Sequence, residues 1–172
     1  MLPRGEGPCN RPRLRPADRL GGVTEVHFYH LQRQSLEDVL PTLLSKSRER
    51  GWRALVKVDG EPRLAALDDH LWSYSDESFL AHGTDLEPEP AGQPILLTQG
   101  DENRNGAAVL FLTDGAPVPA EIGGYARVIL MLNGRDEDAV ADARDTWRRL
   151  RGDGHEVTYW QQDDAGRWQK RG

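Results

Sequence analysis

Hydrophobic and polar positions follow two different periods along this chain from residue 23 onward. Residues 23–30, VTEVHFYH, have the two-residue period of a strand, which places Val26 and Phe28 on one face. The short run RALVKVD and the runs PILLTQ, AAVLFLTD and RVILMLN are apolar enough for interior strands, and HEVTYWQ predicts a last strand before a polar tail. Because the middle runs follow one another without a helix, we expect part of the sheet to be antiparallel.

Three other stretches have the spacing of amphipathic helices. The first, residues 35–51, has Ser35 as a suitable N-cap and Gly51 at its end, although Pro41 predicts a kink or a later start. The second begins at Pro62, and the third, RDEDAVADARDTWRRLRGDG, opens with acids and closes with arginines. The predicted buried stripes of the first two helices are Leu36, Val39, Leu40, Leu43 and Leu44, and Leu64, Leu67 and Leu71.

Strands that alternate with helices predict a three-layer α/β fold with a largely parallel central sheet flanked by helices. Such a Rossmann-like sheet often binds a nucleotide at a glycine-rich turn after its first strand. Here that turn reads HLQRQS and has no glycine, and the chain contains neither GxGxxG nor GxxxxGK[ST]. The sequence therefore predicts no nucleotide site at this turn. A small nucleotide- or phosphate-binding α/β enzyme is kept as the alternative hypothesis because the fold class permits it.

Residues 1–22 differ in composition from the rest of the chain. They contain five arginines and four prolines against one Glu and one Asp, without periodic apolar positions. Such a segment cannot bury enough apolar area to offset its ordering entropy, so we expect a disordered Arg/Pro/Gly-rich extension and a single α/β domain over residues 23–172. The net charge of the whole chain is −6 and that of the extension is +3, which leaves a net charge of −9 for the domain. DNA contact is therefore expected to be mainly indirect, and the alternative is that the basic extension is an arm that contacts DNA or an acidic partner.

The sequence also bears on compartment. Cys9 is the single cysteine, which fits a reducing environment. No apolar run approaches the roughly 20 residues that span a bilayer, and the first residues lack the apolar core of a secretory signal. We therefore expect a cytoplasmic protein without a membrane contact.

No set of residues predicts a catalytic centre. His27 and His30 are three residues apart in a strand and point to opposite sides, and no cysteine or acidic cluster completes a metal site. The GxSxG motif of acyl-transfer enzymes is absent as well. We expect no catalytic residue, no metal and no cofactor.

Charge is sorted along the third predicted helix. Arg144, Arg148 and Arg151 are spaced i, i+4 and i+7 and so form one stripe, with Trp147 next to it. A row of guanidinium groups beside an aromatic wall suits an acidic peptide that ends in an apolar residue. The alternative interpretation is an exposed face that complements the helix dipole.

The stretch LDDHLWSYSDESFLAHG, residues 67–83, carries aromatic side chains where a helix gives way to a polar loop. Leu71 belongs to the buried leucine face, whereas Trp72 lies at its edge and Phe79 lies in the loop. We expect Trp72 and Phe79 to form an exposed patch, the usual anchor of a protein interface. The alternative is that the loop folds back and both rings cap the core.

This stretch, the opening TEVHFYHL and the closing ARDTWRRLRGDGHEVTYW together resemble the chi subunit of bacterial DNA polymerase III, from about Val23 to Lys170. The resemblance implies a non-catalytic accessory subunit associated with the clamp loader during DNA replication. Such subunits form a one-to-one heterodimer with the psi subunit and bind the acidic C-terminal tail of single-stranded DNA-binding protein. Whether a repair helicase uses the same aromatic patch is left open.

The resemblance also assigns roles by position. It implies that Trp72, Phe79 and His82 contact psi. One departure is Val140, which stands where the family offers a lysine one turn before Arg144. The tail-binding residues that it implies are Arg144, Trp147, Arg148, Arg151 and Gly154.

Overall fold

A computed structural model describes residues 24–74, 80–113 and 115–171 of the chain. The strands in this part are β1 (Glu25–Leu31), β2 (Ala54–Lys57), β3 (Gly83–Thr84), β4 (Ile95–Thr98), β5 (Val109–Thr113), β6 (Arg127–Asn133), β7 (Glu156–Gln162) and β8 (Trp168–Lys170). The α-helices are α1 (Leu36–Glu49), α2 (Glu61–Ser73) and α3 (Glu137–Gly152), and a short 3₁₀ turn covers Pro90–Gly92. The predicted disorder of residues 1–22 lies outside the described residues.

The eight strands of the described chain form one sheet in the order β3-β4-β2-β5-β6-β1-β7-β8, and every neighbouring pair is parallel except β7 with β8. This confirms the predicted α/β fold. The expected antiparallel pairing among the middle strands is wrong, because β2 lies between β4 and β5 and because a loop replaces the helix between β5 and β6. Residues 115–126 of that loop pack Ile122 and Tyr125 against the sheet and return the chain for a parallel strand.

Helices cover both faces of the sheet, so the molecule has three layers. α1 and α2 pack on one side, the α1/α2 face, with α1 over β2 and β6 and α2 over β3 and β4; α3 packs over β6 and β7 on the α3 face. Alternate residues of a strand enter opposite cores, and Val26 and Phe28 both enter the core on the α3 face, as their period predicted. In the described part of the chain, no helix is both long and apolar enough to cross a membrane.

Helix α1 contains a proline in its interior and is nevertheless continuous. Ser35 starts the helix through a capping box with Asp38. Pro41 has no N–H to donate to the carbonyl of Glu37, four residues earlier. Instead, Nε2 of His70 in α2 lies 2.8 Å from that carbonyl oxygen. A hydrogen bond between the two helices therefore replaces the one that α1 lacks. The helix starts at Leu36, so the predicted later start does not occur, and the predicted kink stays a prediction.

The C-terminal residues, which the sequence predicts as a polar tail, form a hairpin. The carboxylate of Asp163 accepts hydrogen bonds from the backbone N–H groups of Ala165 and Arg167, both at 2.9 Å, and Gly166 adopts a φ of +80°. This turn pairs β8 with β7 and brings the ring of Trp168 back against the sheet. The hairpin completes one edge of the sheet, where the candidate site lies.

Candidate functional site

A pocket of about 300 Å³ opens on the α3 face, between α3 and the last strands of the sheet. We call it the α3 pocket. Strands β1 and β7 and the residue that follows β8 also contribute to it, because β1, β7 and β8 are neighbours in the sheet. The residues that line it are His30, Arg144, Trp147, Arg148, Tyr159, Gln161 and Arg171.

The walls of the α3 pocket are cationic. Arg144 and Arg148 are exposed on successive turns of α3, and Arg171 follows β8, where its backbone N–H donates to the Tyr159 carbonyl at 2.7 Å. Arg148 lies 3.4 Å from Asp145 in an exposed pair that contributes little. In the described part of the chain, the guanidinium groups of Arg144 and Arg171 have no carboxylate within 4.0 Å. Their charges are therefore available to an anionic ligand.

The floor of the α3 pocket is aromatic and tightly packed. Tyr159 lies against the ring of Phe28, with centroids 6.0 Å apart, and its hydroxyl is 2.6 Å from Nδ1 of His30. The ring of His30 occupies the space that a Cβ at residue 134 would need, so Gly134 permits this close approach. The floor is thus fixed from below by side chains that no ligand has to order.

Burial keeps the floor uncharged at neutral pH. Burial lowers the pKa of His30, the nearby Arg144 charge acts in the same direction, and the Gly134 carbonyl opposes them. Burial raises the pKa of Tyr159, against a smaller opposite effect of Arg144. The α3 pocket therefore presents positive charge on its walls and neutral rings on its floor, an arrangement that suits a carboxylate next to an apolar group.

The structure brings together only part of the set of tail-binding residues implied by the sequence. Trp147 is half-buried, lines the pocket and packs against the core of the α3 face, and its indole N–H finds no acceptor among the described residues. The Arg151 guanidinium lies over the Trp147 ring, 5.0 Å from its centroid, so it adjoins the pocket without lining it. Gly154 lies in a separate cleft with Arg149 and His155, and its φ of +91° explains the glycine at the end of α3.

A second candidate surface lies at the opposite end of the sheet, around Trp72. Trp72 is 52% exposed, which confirms that the ring at the end of α2 faces outward, while Leu71 beside it is buried. Leu86, two residues after β3, is 70% exposed and is another large apolar side chain on the surface. Phe79 lies outside the described residues, so its predicted place in the patch stays a prediction.

His82 supports the Trp72 ring from beneath. It is only 4% exposed, and its ring centroid is 4.3 Å from that of Trp72. Its Nδ1 lies 2.7 Å from the Leu80 carbonyl oxygen, and its Nε2 lies 3.3 Å from the Asp68 carbonyl oxygen. Both ring nitrogens are thus occupied within the fold. His82 as a direct partner contact stays a prediction, and its observed position is that of a support.

Comparison with known proteins shows the family of this chain. Residues 23–158 match the model of the family described as "DNA polymerase III chi subunit, HolC". The chain belongs to the DNA polymerase III chi subunit family. A relative named "Probable DNA polymerase III subunit chi", from Rickettsia prowazekii (strain Madrid E), is 26% identical over 95 residues, which are 55% of this chain and 58% of the relative. The match therefore spans little more than half of that curated relative.

Four residues of the α3 pocket in this chi-family chain were not found from the sequence: His30, Tyr159, Gln161 and Arg171. Tyr159, Gln161 and Arg171 also lie beyond the matched family region. His30 and Tyr159 meet because β1 pairs with β7, a register that no local period reveals. The place of Arg171 in the pocket could have been inferred from the turn sequence Asp-Asp-Ala-Gly, which predicts a hairpin that returns the C-terminal residues to the sheet.

The crevice expected of the alternative nucleotide hypothesis is also present. A cleft of about 400 Å³ lies at the carboxyl ends of β1 and β6, where Rossmann-like sheets hold their ligands, and Arg33 and Arg135 line it. However, Ser35 already bonds the first turn of α1, and Glu37 and Asp38 place negative charge there. This helix start therefore disfavours a phosphate. The described residues also contain no group of three or more His, Cys, Asp or Glu side chains able to hold a metal ion.

Proposed function

We propose that this chain is a non-catalytic accessory subunit of DNA polymerase III that joins the psi subunit to the C-terminal tail of single-stranded DNA-binding protein. Its membership of the chi family supports a place in the polymerase assembly. The single observation that carries the tail assignment is the α3 pocket, where Arg144, Arg148 and Arg171 surround an uncharged aromatic floor.

The chemistry of the α3 pocket favours an acidic peptide with an apolar terminal residue. A guanidinium group binds a carboxylate through two parallel hydrogen bonds, so a terminal carboxylate and acidic side chains both have partners on the walls. The rings of Trp147 and Tyr159 offer a flat apolar contact to the last side chain. Because the chain as a whole carries −6, this local positive cluster also distinguishes the site from the surrounding surface.

A separate surface is available for psi. Trp72 and Leu86 are exposed at the β3 end of the sheet, whereas the α3 pocket lies at the β7–β8 end. Exposed aromatic and aliphatic side chains supported from below are typical anchors of protein interfaces. Two surfaces at opposite edges of one rigid sheet allow both partners to bind at once, which is the geometric requirement of an adaptor.

The tail assignment is tested with a labelled peptide that copies the acidic tail and ends in phenylalanine with a free carboxylate. Fluorescence anisotropy should show saturable binding that weakens at high salt and weakens when the peptide ends in an amide. Arg144→Ala should reduce the affinity roughly thirtyfold, about 2 kcal/mol, which is typical for losing a hydrogen bond to a charged group. Arg104→Ala, an exposed arginine between β4 and β5, is the matched control. Equal binding by Arg144→Ala and wild type would show that the tail assignment is wrong.

The psi assignment is tested by mixing the full chain with purified psi and measuring complex formation by size-exclusion chromatography. Trp72→Ala and Phe79→Ala should each weaken the complex while leaving binding of the tail peptide unchanged. Truncation of an interface anchor costs about 2 kcal/mol or more, enough to change the elution profile. A complex that forms equally well with both variants would place the psi contact elsewhere.

A further inference from the structure

The α1/α2 face of strands β1, β7 and β8 carries partly exposed rings for which the proposed function gives no role. Tyr29 of β1, Trp160 of β7 and Trp168 of β8 line a groove of about 320 Å³ beside α1. We call these three residues the aromatic face. α1 packs over β2 and β6 and contributes Thr42 and Lys46 to the groove. It forms one wall of the groove, and the rings stay partly exposed.

The rings of the aromatic face are arranged in order. Tyr29 and Trp160 are cross-strand neighbours, 6.4 Å apart between centroids, and their planes differ by only 17°. Trp168 stands edge-on to Tyr29 at 4.9 Å, with an angle of 81° between the planes. The face thus offers two nearly parallel rings and a third that closes one side.

Hydrogen bonds hold the central ring in place. Nε1 of Trp160 donates to Nδ1 of His27 at 3.0 Å, and Nε2 of His27 lies 2.5 Å from the carboxylate of Glu25. The guanidinium group of Arg127 donates to the same carboxylate at 3.1 Å. Since Nδ1 accepts from the indole, the His27 proton is on Nε2 and points to Glu25. The Trp160 ring is therefore oriented before any ligand arrives.

Cations adjoin the aromatic face on several sides. Lys46 lines the groove, and Lys170 lies directly opposite Trp160 in the β7–β8 pair. Arg50 and Arg127 both lie over the ring of Trp52, at 5.2 Å and 5.4 Å, close to the Glu25 end of the strands.

The three carboxylates of this region have different surroundings. Glu25 is held by Arg127 and His27, and Asp38 in the groove accepts a hydrogen bond from the Ser35 backbone. Glu156, beside Glu25 in the β1–β7 pair, is exposed. Lys46 and Lys170, by contrast, have no carboxylate within 4.0 Å among the described residues.

We propose that the aromatic face is a direct binding site for single-stranded nucleic acid, with unpaired bases against Tyr29, Trp160 and Trp168 and phosphates near Lys46 and Lys170. Aromatic rings bordered by cations are the usual means of holding unpaired nucleotides without sequence preference. A peptide or a second copy of the chain would use the rings but would not need the cations. The acidic domain limits electrostatic attraction, so stacking supplies most of the affinity and the salt dependence is shallow.

The test titrates the full chain into a short, labelled oligothymidine at low salt. We expect saturable binding accompanied by quenching of tryptophan fluorescence. Trp160→Ala should weaken it about tenfold or more, because each stacked base contributes substantially to affinity. Lys46→Glu, an exposed change that leaves the rings in place, should weaken it several-fold, whereas Arg104→Glu makes the same change of charge in the loop between β4 and β5 and should have no effect.

Each other outcome overturns the proposal. If the wild type does not bind oligothymidine, the aromatic face is not a nucleic-acid site. The same conclusion follows if the wild type, Trp160→Ala and Lys46→Glu bind equally well. Equal binding would point to residues 1–22 as the contact. Self-association that depends on Trp160 without oligothymidine binding would identify a second copy as the occupant. Thermal unfolding of each variant establishes that it is folded. The tail peptide is titrated separately, so failure of the proposed adaptor function does not alter this result.

Discussion

The two faces of strands β1, β7 and β8 use the same backbone for different chemistry. On the α3 face, His30 and Tyr159 lie beneath a helix that brings Arg144 and Trp147 over them. On the α1/α2 face, the neighbouring positions Tyr29 and Trp160 are, like Tyr159, partly exposed, and they line the groove beside α1. The stretches HFYHL and TYWQ therefore encode two surfaces in alternating positions.

The difference lies in what each face receives from the rest of the chain. α3 packs over β6 and β7 and lines the α3 pocket with Arg144 and Arg148, so cations converge on one small cavity. α1 packs over β2 and β6, so the aromatic face has a wall on one side and cations only at its border. A concentrated positive pocket favours a carboxylate terminus, whereas partly exposed rings with cations at their border favour stacked bases.

Charge reversal at the α3 pocket should give the largest effect. Arg144→Glu places a negative group where a peptide carboxylate binds, so we expect the affinity for the tail peptide to fall at least about a hundredfold. Anisotropy titration measures this loss, and oligothymidine binding by the same variant measures the other face. If Arg144→Glu weakens both ligands equally, the two faces are not separate sites.

Removing the hydrogen bond between His70 and the Glu37 carbonyl of α1 should have the next largest effect, which is on the free energy of unfolding. His70→Ala leaves the Glu37 carbonyl without its partner and should lower the free energy of unfolding by about 1–3 kcal/mol. In a Pro41→Ala background, residue 41 regains an N–H for that carbonyl, so the same His70→Ala change should cost less. Urea denaturation of the four proteins measures this cycle. Equal costs in both backgrounds would show that His70 does not replace the missing helix bond.

Two consecutive residues near the C-terminus lie on opposite faces of the sheet, and replacing each one should have a smaller effect on binding affinity. Arg171 lines the α3 pocket, whereas Lys170 lies opposite Trp160. Arg171→Ala should weaken the tail peptide about fivefold, roughly 1 kcal/mol, as expected for one exposed ionic contact. Lys170→Ala should leave peptide binding unchanged and weaken oligothymidine binding slightly. The opposite pattern in the two titrations would contradict the register of β8.

The smallest expected effect is a pH dependence of the free energy of unfolding, to which one histidine on each face of the sheet contributes. Burial lowers the pKa of His27, against an opposing hydrogen bond to Glu25, and burial also lowers the pKa of His30. Below the ordinary histidine pKa of about 6.5, the unfolded chain therefore binds protons more readily than the folded chain, and stability falls as the pH falls. Urea denaturation at neutral and mildly acidic pH measures the change.

His27→Gln provides the control for that dependence. Glutamine can accept the Trp160 N–H without titrating, so the remaining pH dependence should be shallower and should come mainly from His30. Histidine proton chemical shifts, followed through the titration, should give a midpoint below that of free histidine for each ring. Stability that rises on acidification would contradict the observed burial of the two rings.

Part of the candidate site was predictable from local spacing. The i, i+4 spacing placed Arg144 and Arg148 on one stripe next to Trp147, and the structure has all three in the α3 pocket. The leucine spacing of α2 placed Trp72 at the edge of a buried face, and the ring is exposed. Arg171 was not predictable in this way, because it reaches the pocket through a hairpin and not through a helix period.

The sequence by itself determined which elements form and which side chains share a face, because periods of two and about 3.6 residues are local properties of the backbone. Only the tertiary structure decided that β5 and β6 pair in parallel across a helix-free loop, and that His70 bonds the carbonyl left by Pro41. It also decided which face of β1 and β7 lies under α3. These outcomes depend on contacts between segments far apart in the chain, whose register is set by packing of the whole core and not by any one stretch of residues.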